Sequence, residues 1–175
     1  MKSAADPDAG APRRLFAAVA LTAIVLDQIT KFVAEATLLR SAAVSVFGDW
    51  AQLRLVYNQG AAFGLHVGPY SRWVFFAIAI IAIVVLYRMS RETAPSDTFR
   101  QAALGLIAGG AAGNLIDRIR SARGVVDFID VGIGAMRWPT FNIADIAVTC
   151  GAIALAVSLW REDRRPIEAD SAAAS

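Results

Sequence analysis

The chain has 175 residues, of which 57% are apolar and 18% charged, and its mean hydropathy is +0.51, a balance shifted from that of soluble domains toward that of membrane proteins. One cysteine (Cys150) and one histidine (His66) exclude an internal disulfide and leave no basis for a zinc site or a Cys–His nucleophile pair, so we expect no metal and no cofactor. The net charge of +2 comes from basic residues scattered along the chain, which argues against a nucleic-acid partner.

Four uncharged apolar runs follow one another along the chain. They are 12, 15, 16 and 15 residues long and cover residues 15–26, 73–87, 101–116 and 146–160. Crossing the hydrocarbon core takes about 20 residues, so each run must extend into a polar flank. The predicted fold is an all-α integral membrane protein with four transmembrane helices, at about residues 15–34, 69–88, 101–118 and 143–160. Asp27 and Lys31, just after the first run, favour a retained helix over a cleaved signal peptide.

The segments between and outside the runs predict small extramembrane structures. Residues 44–57 contain alternating polar and apolar positions around Gly48 and Asp49, which predicts a short β-hairpin on the membrane surface. Residues 119–141 form a second extramembrane loop. The polar extension 1–14 and the tail 161–175 are predicted to be disordered.

Alternate crossings of the bilayer bring the polar ends of the four spans to one side. That side receives the pair Asp27 and Lys31 and the segments 58–60, 114–118 and 142–145. Ionisable groups just inside the membrane are costly, so these residues are candidates for function. Lys and Arg are nearly balanced, with nine on one side and eight on the other, and charge alone therefore does not orient the protein.

Several of these groups have a structural interpretation. Asp27 and Lys31 are four residues apart on a helix, which predicts an ion pair. Asp117 is predicted to pair with a basic group, and the small residues at 109–113 are predicted to pack against a neighbouring helix. Arg118 can present its guanidinium to a carbonyl or a carboxylate.

Two carboxylates are harder to explain structurally. Asp127 lies between two valines and Phe128, and Asp145 begins an apolar helix that Asn142 can cap. An acidic residue in the first helical turn also interacts favourably with the helix dipole, which is the structural alternative for Asp145. Two carboxyl groups in one partly desolvated site share a proton and can act together as acid and base. This arrangement can hydrolyse an amide without a covalent intermediate.

Five motifs in this order resemble the lipoprotein signal peptidase (signal peptidase II) family of bacteria, over about residues 15–160. They are Asp-x-x-x-Lys at 27–31, Asn-x-Gly-Ala-Ala-Phe at 58–63, Gly-Gly-Ala-x-Gly-Asn-Leu-x-Asp-Arg at 109–118, Val-Val-Asp-Phe at 125–128 and Phe-Asn-x-Ala-Asp at 141–145. Each motif alone is weak evidence for the family, but all five motifs in this order, on a chain with four predicted spans, are specific to it.

The resemblance implies a four-helix aspartic endopeptidase of the cytoplasmic membrane that removes the signal peptide from diacylglyceryl-modified prolipoproteins, before the lipidated cysteine. By motif, its catalytic aspartates correspond to Asp127 and Asp145. The positions near the substrate correspond to Asn58, Gly60, Asn114, Arg118 and Asn142. The same resemblance implies that the carboxylate side faces away from the cytoplasm and that both termini face the cytoplasm. We expect a monomer.

Four other interpretations are open, one of them a non-catalytic membrane scaffold, for which five separate polar clusters would be superfluous. A small proton-coupled transporter would use intramembrane carboxylates as a relay, but its site is expected near the midplane between repeats, and the sequence contains no repeat. A serine–lysine protease would use Lys31 with Ser41 or Ser45. An alternative aspartate pair would be Asp117 with Asp145, although the adjacent Arg118 favours a structural role for Asp117.

Overall fold

The computed structural model describes residues 11–60, 65–94 and 96–173, with side chains at 14–60, 65–94 and 96–163, so most of the predicted N-terminal extension lies outside the described residues. Within these residues, four helices and four strands follow one another along the chain. They are α1 (Ala11–Thr37), β1 (Val44–Phe47), β2 (Ala51–Asn58), α2 (Ser71–Glu92, after a 3-10 turn at Gly68–Tyr70), α3 (Thr98–Arg120), β3 (Val125–Ile133), β4 (Met136–Arg137) and α4 (Ile143–Ala173). This architecture confirms the mostly helical fold with a small antiparallel sheet.

The helices are longer than the predicted spans. Helix α4 continues past residue 160 to Ala173 and therefore enters the segment that was predicted to be disordered. Arg, Glu and Ala, which favour helix, dominate that segment. Helix α1 likewise begins at Ala11, within the predicted polar extension.

Three helices are long and apolar enough to cross a membrane. Within the described residues these are Arg14–Thr37, Gly68–Glu92 and Ile143–Asp163. Their outer surfaces carry large exposed apolar side chains, such as Phe32, which is 70% exposed, and Ile81 and Ile153. Such surfaces fit contact with lipid. Helix α3, the fourth predicted span, does not reach the same apolar content, and the predicted count of four spans is not confirmed.

Helix α3 lies at the centre of the bundle, and this explains its composition. It packs against α1, α2 and α4 at once, so little of its surface is left for lipid. Gly109 allows the close approach of α1, because a Cβ there would lie 2.8 Å from the Cβ of Ala23. Small residues of this kind let the backbones of packed helices come together.

The sheet has the order β1-β2-β3-β4, and all its neighbouring strands are antiparallel. It packs on the C-terminal end of α1 through a buried apolar cluster that includes Leu38, Leu55 and Phe128. Pairing of β2 with β3 places Val56 opposite Asp127 and Asn58 opposite Val125. Gly124, with a φ of 105°, precedes β3 at a point where a Cβ would lie 2.6 Å from the carbonyl carbon of Asn58. A glycine there is therefore needed to bring Asn58 and Asp127 together.

Candidate active site

A cavity of about 670 Å³ lies under the sheet, between α2, α3 and α4. Helices α2 and α4 each pack on α3 but have little contact with each other among the described residues, so the cavity is a cleft in front of α3. Its deeper wall is apolar and includes Phe75, Ile78, Ala82, Ala111 and Val148. Its polar end is lined by Asn58, Asn114, Arg118, Asp127 and Asp145.

Asp127 and Asp145 reach this polar end from different elements. Asp127 is the third residue of β3 and is only 2% exposed. Asp145 lies in the first turn of α4, where the positive end of the helix dipole favours a negative charge. The tertiary structure thus brings together the two carboxylates that stood out in the sequence.

Asn142 connects the two aspartates. Its Nδ2 donates to Asp127 Oδ1 at 2.7 Å, and its Oδ1 accepts from the backbone N–H of Asp145 at 3.0 Å. In return, the backbone N–H of Asn142 donates to Asp145 Oδ2 at 3.1 Å. The last two bonds form a reciprocal cap on α4, and Asn142 is completely buried. One asparagine therefore caps the helix that carries Asp145 and also holds Asp127.

Two further asparagines each donate to one aspartate. Asn58 Nδ2 lies 3.2 Å from Asp127 Oδ2, and Asn114 Nδ2 lies 2.9 Å from Asp145 Oδ1. The backbone N–H of Gly60 donates to Asn58 Oδ1 at 2.9 Å, which turns the amide nitrogen of Asn58 toward Asp127. Each carboxyl group is thus hydrogen-bonded through both of its oxygens.

The surroundings of Asp127 disfavour its charged form. Burial, and secondly the negative charge of Asp145, raise the pKa of Asp127 to about 7, against the lowering effect of the hydrogen bonds from Asn58 and Asn142. Near neutral pH, this carboxyl group can therefore keep a proton beside an ionised neighbour. A pair in this state contains both an acid and a base.

Arg118 is buried beside the pair, with its guanidinium 5.8 Å from the centre of the Phe75 ring. Its Nη2 donates to the carbonyl of Gly60 at 2.9 Å, and its Nη1 donates to the carbonyl of Asn114 at 3.1 Å. Its Nε has no hydrogen-bond partner among the described residues. A buried donor without a partner is costly, so a bound carbonyl group would be a favourable partner there.

A buried ion cluster lies behind the cavity. Lys31 Nζ lies 2.8 Å from Asp27 Oδ2 and 2.8 Å from Asp117 Oδ2. Asp27 also accepts the backbone N–H of Ala144, and Asp117 accepts that of Val126. The structure therefore places Asp27, Lys31 and Asp117 in contacts that hold α1, α3, α4 and β3 together, and none of the three lines the cavity.

This cluster separates Lys31 from the serines of the alternative protease hypothesis. Its ammonium is surrounded by carboxylate and amide oxygens, whereas Ser45 is exposed in β1 and donates to the carbonyl of Gly48. The pairing of Asp117 with Lys31 likewise argues against the alternative pair of Asp117 with Asp145.

Sequence reasoning missed two contributors, Gln28 and Phe75, and gave Gly113 only a general role in helix packing. Gln28 donates to the carboxylates of both Asp27 and Asp117. Gly113 leaves room for Asp27, because a Cβ there would lie 2.5 Å from Asp27 Oδ2. Phe75 forms the wall opposite Arg118. Gln28 directly follows Asp27, but a single polar residue at a helix position carries no signal of its own.

Comparison with known proteins gives consistent matches. A family model described as signal peptidase (SPase) II matches residues 19–161. The lipoprotein signal peptidase of Hydrogenovibrio crunogenus is 38% identical over 87% of this chain and 90% of that protein, and that of Geobacter sulfurreducens is 38% identical over 87% and 95%. A bacterial membrane enzyme solved at 2.3 Å resolution superposes with a TM-score of 0.75 at 34% identity, covering 83% of this chain and 87% of that one.

Proposed function

The chain belongs to the signal peptidase II family, and from this premise we propose that it is an aspartic endopeptidase that cleaves diacylglyceryl-modified prolipoproteins just before the lipidated cysteine. Family membership makes the protein a membrane peptidase of lipoprotein signal-peptide processing. The proposal adds the catalytic type, the bond that is cut and the residues that act.

The observation that carries the proposal is the pair of aspartates at one end of the cavity. In the proposed reaction, the ionised aspartate removes a proton from water, and the water oxygen attacks the carbonyl carbon of the scissile amide. The protonated aspartate donates to the carbonyl oxygen. When the resulting tetrahedral diol collapses, the C–N bond breaks, and the aspartate that took the proton from water gives it to the leaving nitrogen. The other aspartate takes back a proton from a hydroxyl of the diol, which restores the pair. The raised pKa of Asp127 supports Asp127 as the proton donor and Asp145 as the base.

Arg118 is proposed to hold the peptide backbone, whereas the amide of Asn58, already bonded to Asp127 and to the backbone of Gly60, is proposed to position Asp127. The free Nε of Arg118 can donate to a peptide carbonyl beside the aspartates. Asn114 and Asn142 are already occupied by the two carboxylates, and Gly60 supplies a carbonyl to Arg118. We therefore assign these three to support of the site rather than to direct binding.

We propose that α3 is a fourth span. In this arrangement the end of the bundle that carries Asp127 and Asp145 faces away from the cytoplasm, and both termini face the cytoplasm. The 23 residues of α3 are long enough to cross, and its partners α1, α2 and α4 shield its less apolar surface.

The direct test mixes the purified protein with a synthetic precursor peptide that carries a diacylglyceryl cysteine and measures cleavage of that peptide. Mass spectrometry should find one product that begins with the lipidated cysteine. Cleavage elsewhere, or none in an otherwise folded preparation, would contradict the proposal.

Activity is expected to fall above neutral pH. Because the pKa of Asp127 is raised to about 7, the shared proton is lost above that pH, and kcat/KM should then fall about tenfold per unit. Between about pH 4 and 7 the folded chain keeps a proton that the unfolded chain has lost, so this group makes the free energy of unfolding fall as pH rises. A pH profile in one detergent, with unfolding midpoints at each pH, measures both effects. A flat kcat/KM from neutral to alkaline pH would refute the assignment.

Topology gives an independent prediction. In a protein with Cys150→Ser, single cysteines at Ser41 and at Ser96 should be labelled from opposite sides of intact cells, with position 41 reached from outside. Position 41 follows α1 and position 96 lies between α2 and α3. Labelling of both positions from the same side would overturn the four-span arrangement.

A further inference from the structure

Asn114 stands between the buried ion cluster and the aspartate pair. Its Oδ1 accepts from Lys31 Nζ at 2.9 Å and from Asn142 Nδ2 at 3.0 Å, while its Nδ2 donates to Asp145 Oδ1 at 2.9 Å. An ammonium group has hydrogen-bond donors and no acceptor. The amide of Asn114 must therefore turn its oxygen to Lys31, and this leaves its nitrogen directed at Asp145.

Lys31 is itself held firmly. Its ammonium group has three hydrogens and three near oxygen partners, which belong to Asp27, Asp117 and Asn114. The residue is 2% exposed and does not line the cavity, so it does not reach a bound peptide. Any effect of Lys31 on the chemistry has to pass through a neighbour.

We propose that Lys31 is a positioning residue of the peptidase reaction, which locks the amide of Asn114 in the orientation that donates to Asp145. The inference rests on the proposed function and extends it by one residue. Without the ammonium, the oxygen of the Asn114 amide keeps only the hydrogen bond from Asn142, and its nitrogen keeps the bond to Asp145. The amide is then less restrained, and any rotation away from its native orientation weakens the bond to Asp145.

The hydrogen bond from Asn114 matters because it completes the environment of Asp145. Asp145 Oδ2 is held by the backbone N–H of Asn142, and Asp145 Oδ1 is held by Asn114. Both bonds together fix the plane of the carboxylate that is proposed to activate water. Small errors in the placement of a reacting group slow a reaction strongly.

A double-mutant cycle can test whether Lys31 acts through Asn114. All four proteins carry Asp27→Asn, so that the two with Lys31→Met have the formal charge of the native cluster and the two with Lys31 are more positive by one charge. In this background Lys31→Met should lower kcat about 10- to 100-fold and leave KM within about threefold. When Asn114→Ala is also present, Lys31→Met should lower kcat by less than about twofold further. Unfolding midpoints in the same detergent report whether each variant folds.

Asn114→Asp, made in the otherwise native chain, is the second variant. It keeps an acceptor for Lys31 and removes the amide donor to Asp145, and its kcat should fall at least about tenfold. Three outcomes would each overturn the inference. Lys31→Met and Asn114→Ala could lower kcat independently, the loss could be confined to KM, or Asn114→Asp could have native kcat. If the native protein does not cleave the lipidated peptide, the proposed function fails. If it cleaves while the cycle is additive, only the role of Lys31 fails.

Discussion

Asp127→Asn and Asp145→Asn are each expected to lower kcat by about 100- to 10,000-fold, the range typical for the loss of a general acid or base. An amide has nearly the shape of a carboxyl group but only one oxygen acceptor, so one of the two hydrogen bonds that each carboxyl group accepts can persist. An amide cannot, however, share the proton that the pair needs. Initial rates on the lipidated peptide, with unfolding midpoints, separate lost chemistry from lost structure.

Asp130→Asn is the matched control for this loss. Asp130 is buried on the same strand as Asp127, but it pairs with Arg137 at 2.9 Å and lies outside the cavity. Its replacement should change stability more than kcat. Asp117→Asn should likewise keep measurable turnover, whereas its complete inactivity with native stability would revive the alternative pair with Asp145. Native turnover in Asp127→Asn or Asp145→Asn would end the aspartic mechanism.

A peptide without the diacylglyceryl group is expected to be cleaved at least about 100-fold less efficiently, in kcat/KM, than the same peptide with it. The cavity is a cleft with a polar end and a long apolar wall that includes Ile78, Ala82 and Val148. Burial of each lipid methylene contributes about 0.8 kcal/mol, which concentrates the substrate at the membrane. Anchoring also sets the depth of the scissile bond relative to Asp127 and Asp145, and such positioning governs rate.

The comparison uses one precursor sequence, with and without the lipid, in one detergent at several detergent concentrations. Because dilution into micelles affects the two peptides differently, the ratio of kcat/KM is extrapolated to a common micelle concentration. Equal cleavage of both peptides would remove the lipoprotein assignment from the proposal and leave a general membrane endopeptidase.

Hydropathy and residue order were enough to predict the class of the protein and the polar residues that gather at one end of its spans. Four uncharged runs, three of them flanked by an aspartate, predicted helices of membrane-spanning length. Helices α1, α2 and α4 have the length and apolar content to cross. Five motifs in order identified the family, which the match over residues 19–161 confirms. Apolar runs and motifs can be recognised in the sequence because each consists of residues that are neighbours along the chain.

Only the folded structure shows which polar side chains contact one another. Lys31 was predicted to pair with Asp27 one turn away, but its contacts with Asp117 and Asn114 join residues more than 80 positions apart, and no periodicity reveals them. The low apolar content of α3 follows from its central place between three helices, which only the packing shows. The raised pKa of Asp127 likewise arises from burial and from the charge of Asp145 on another element. Desolvation and electrostatic coupling act through space, so their effects on a site depend on the fold that brings the groups together.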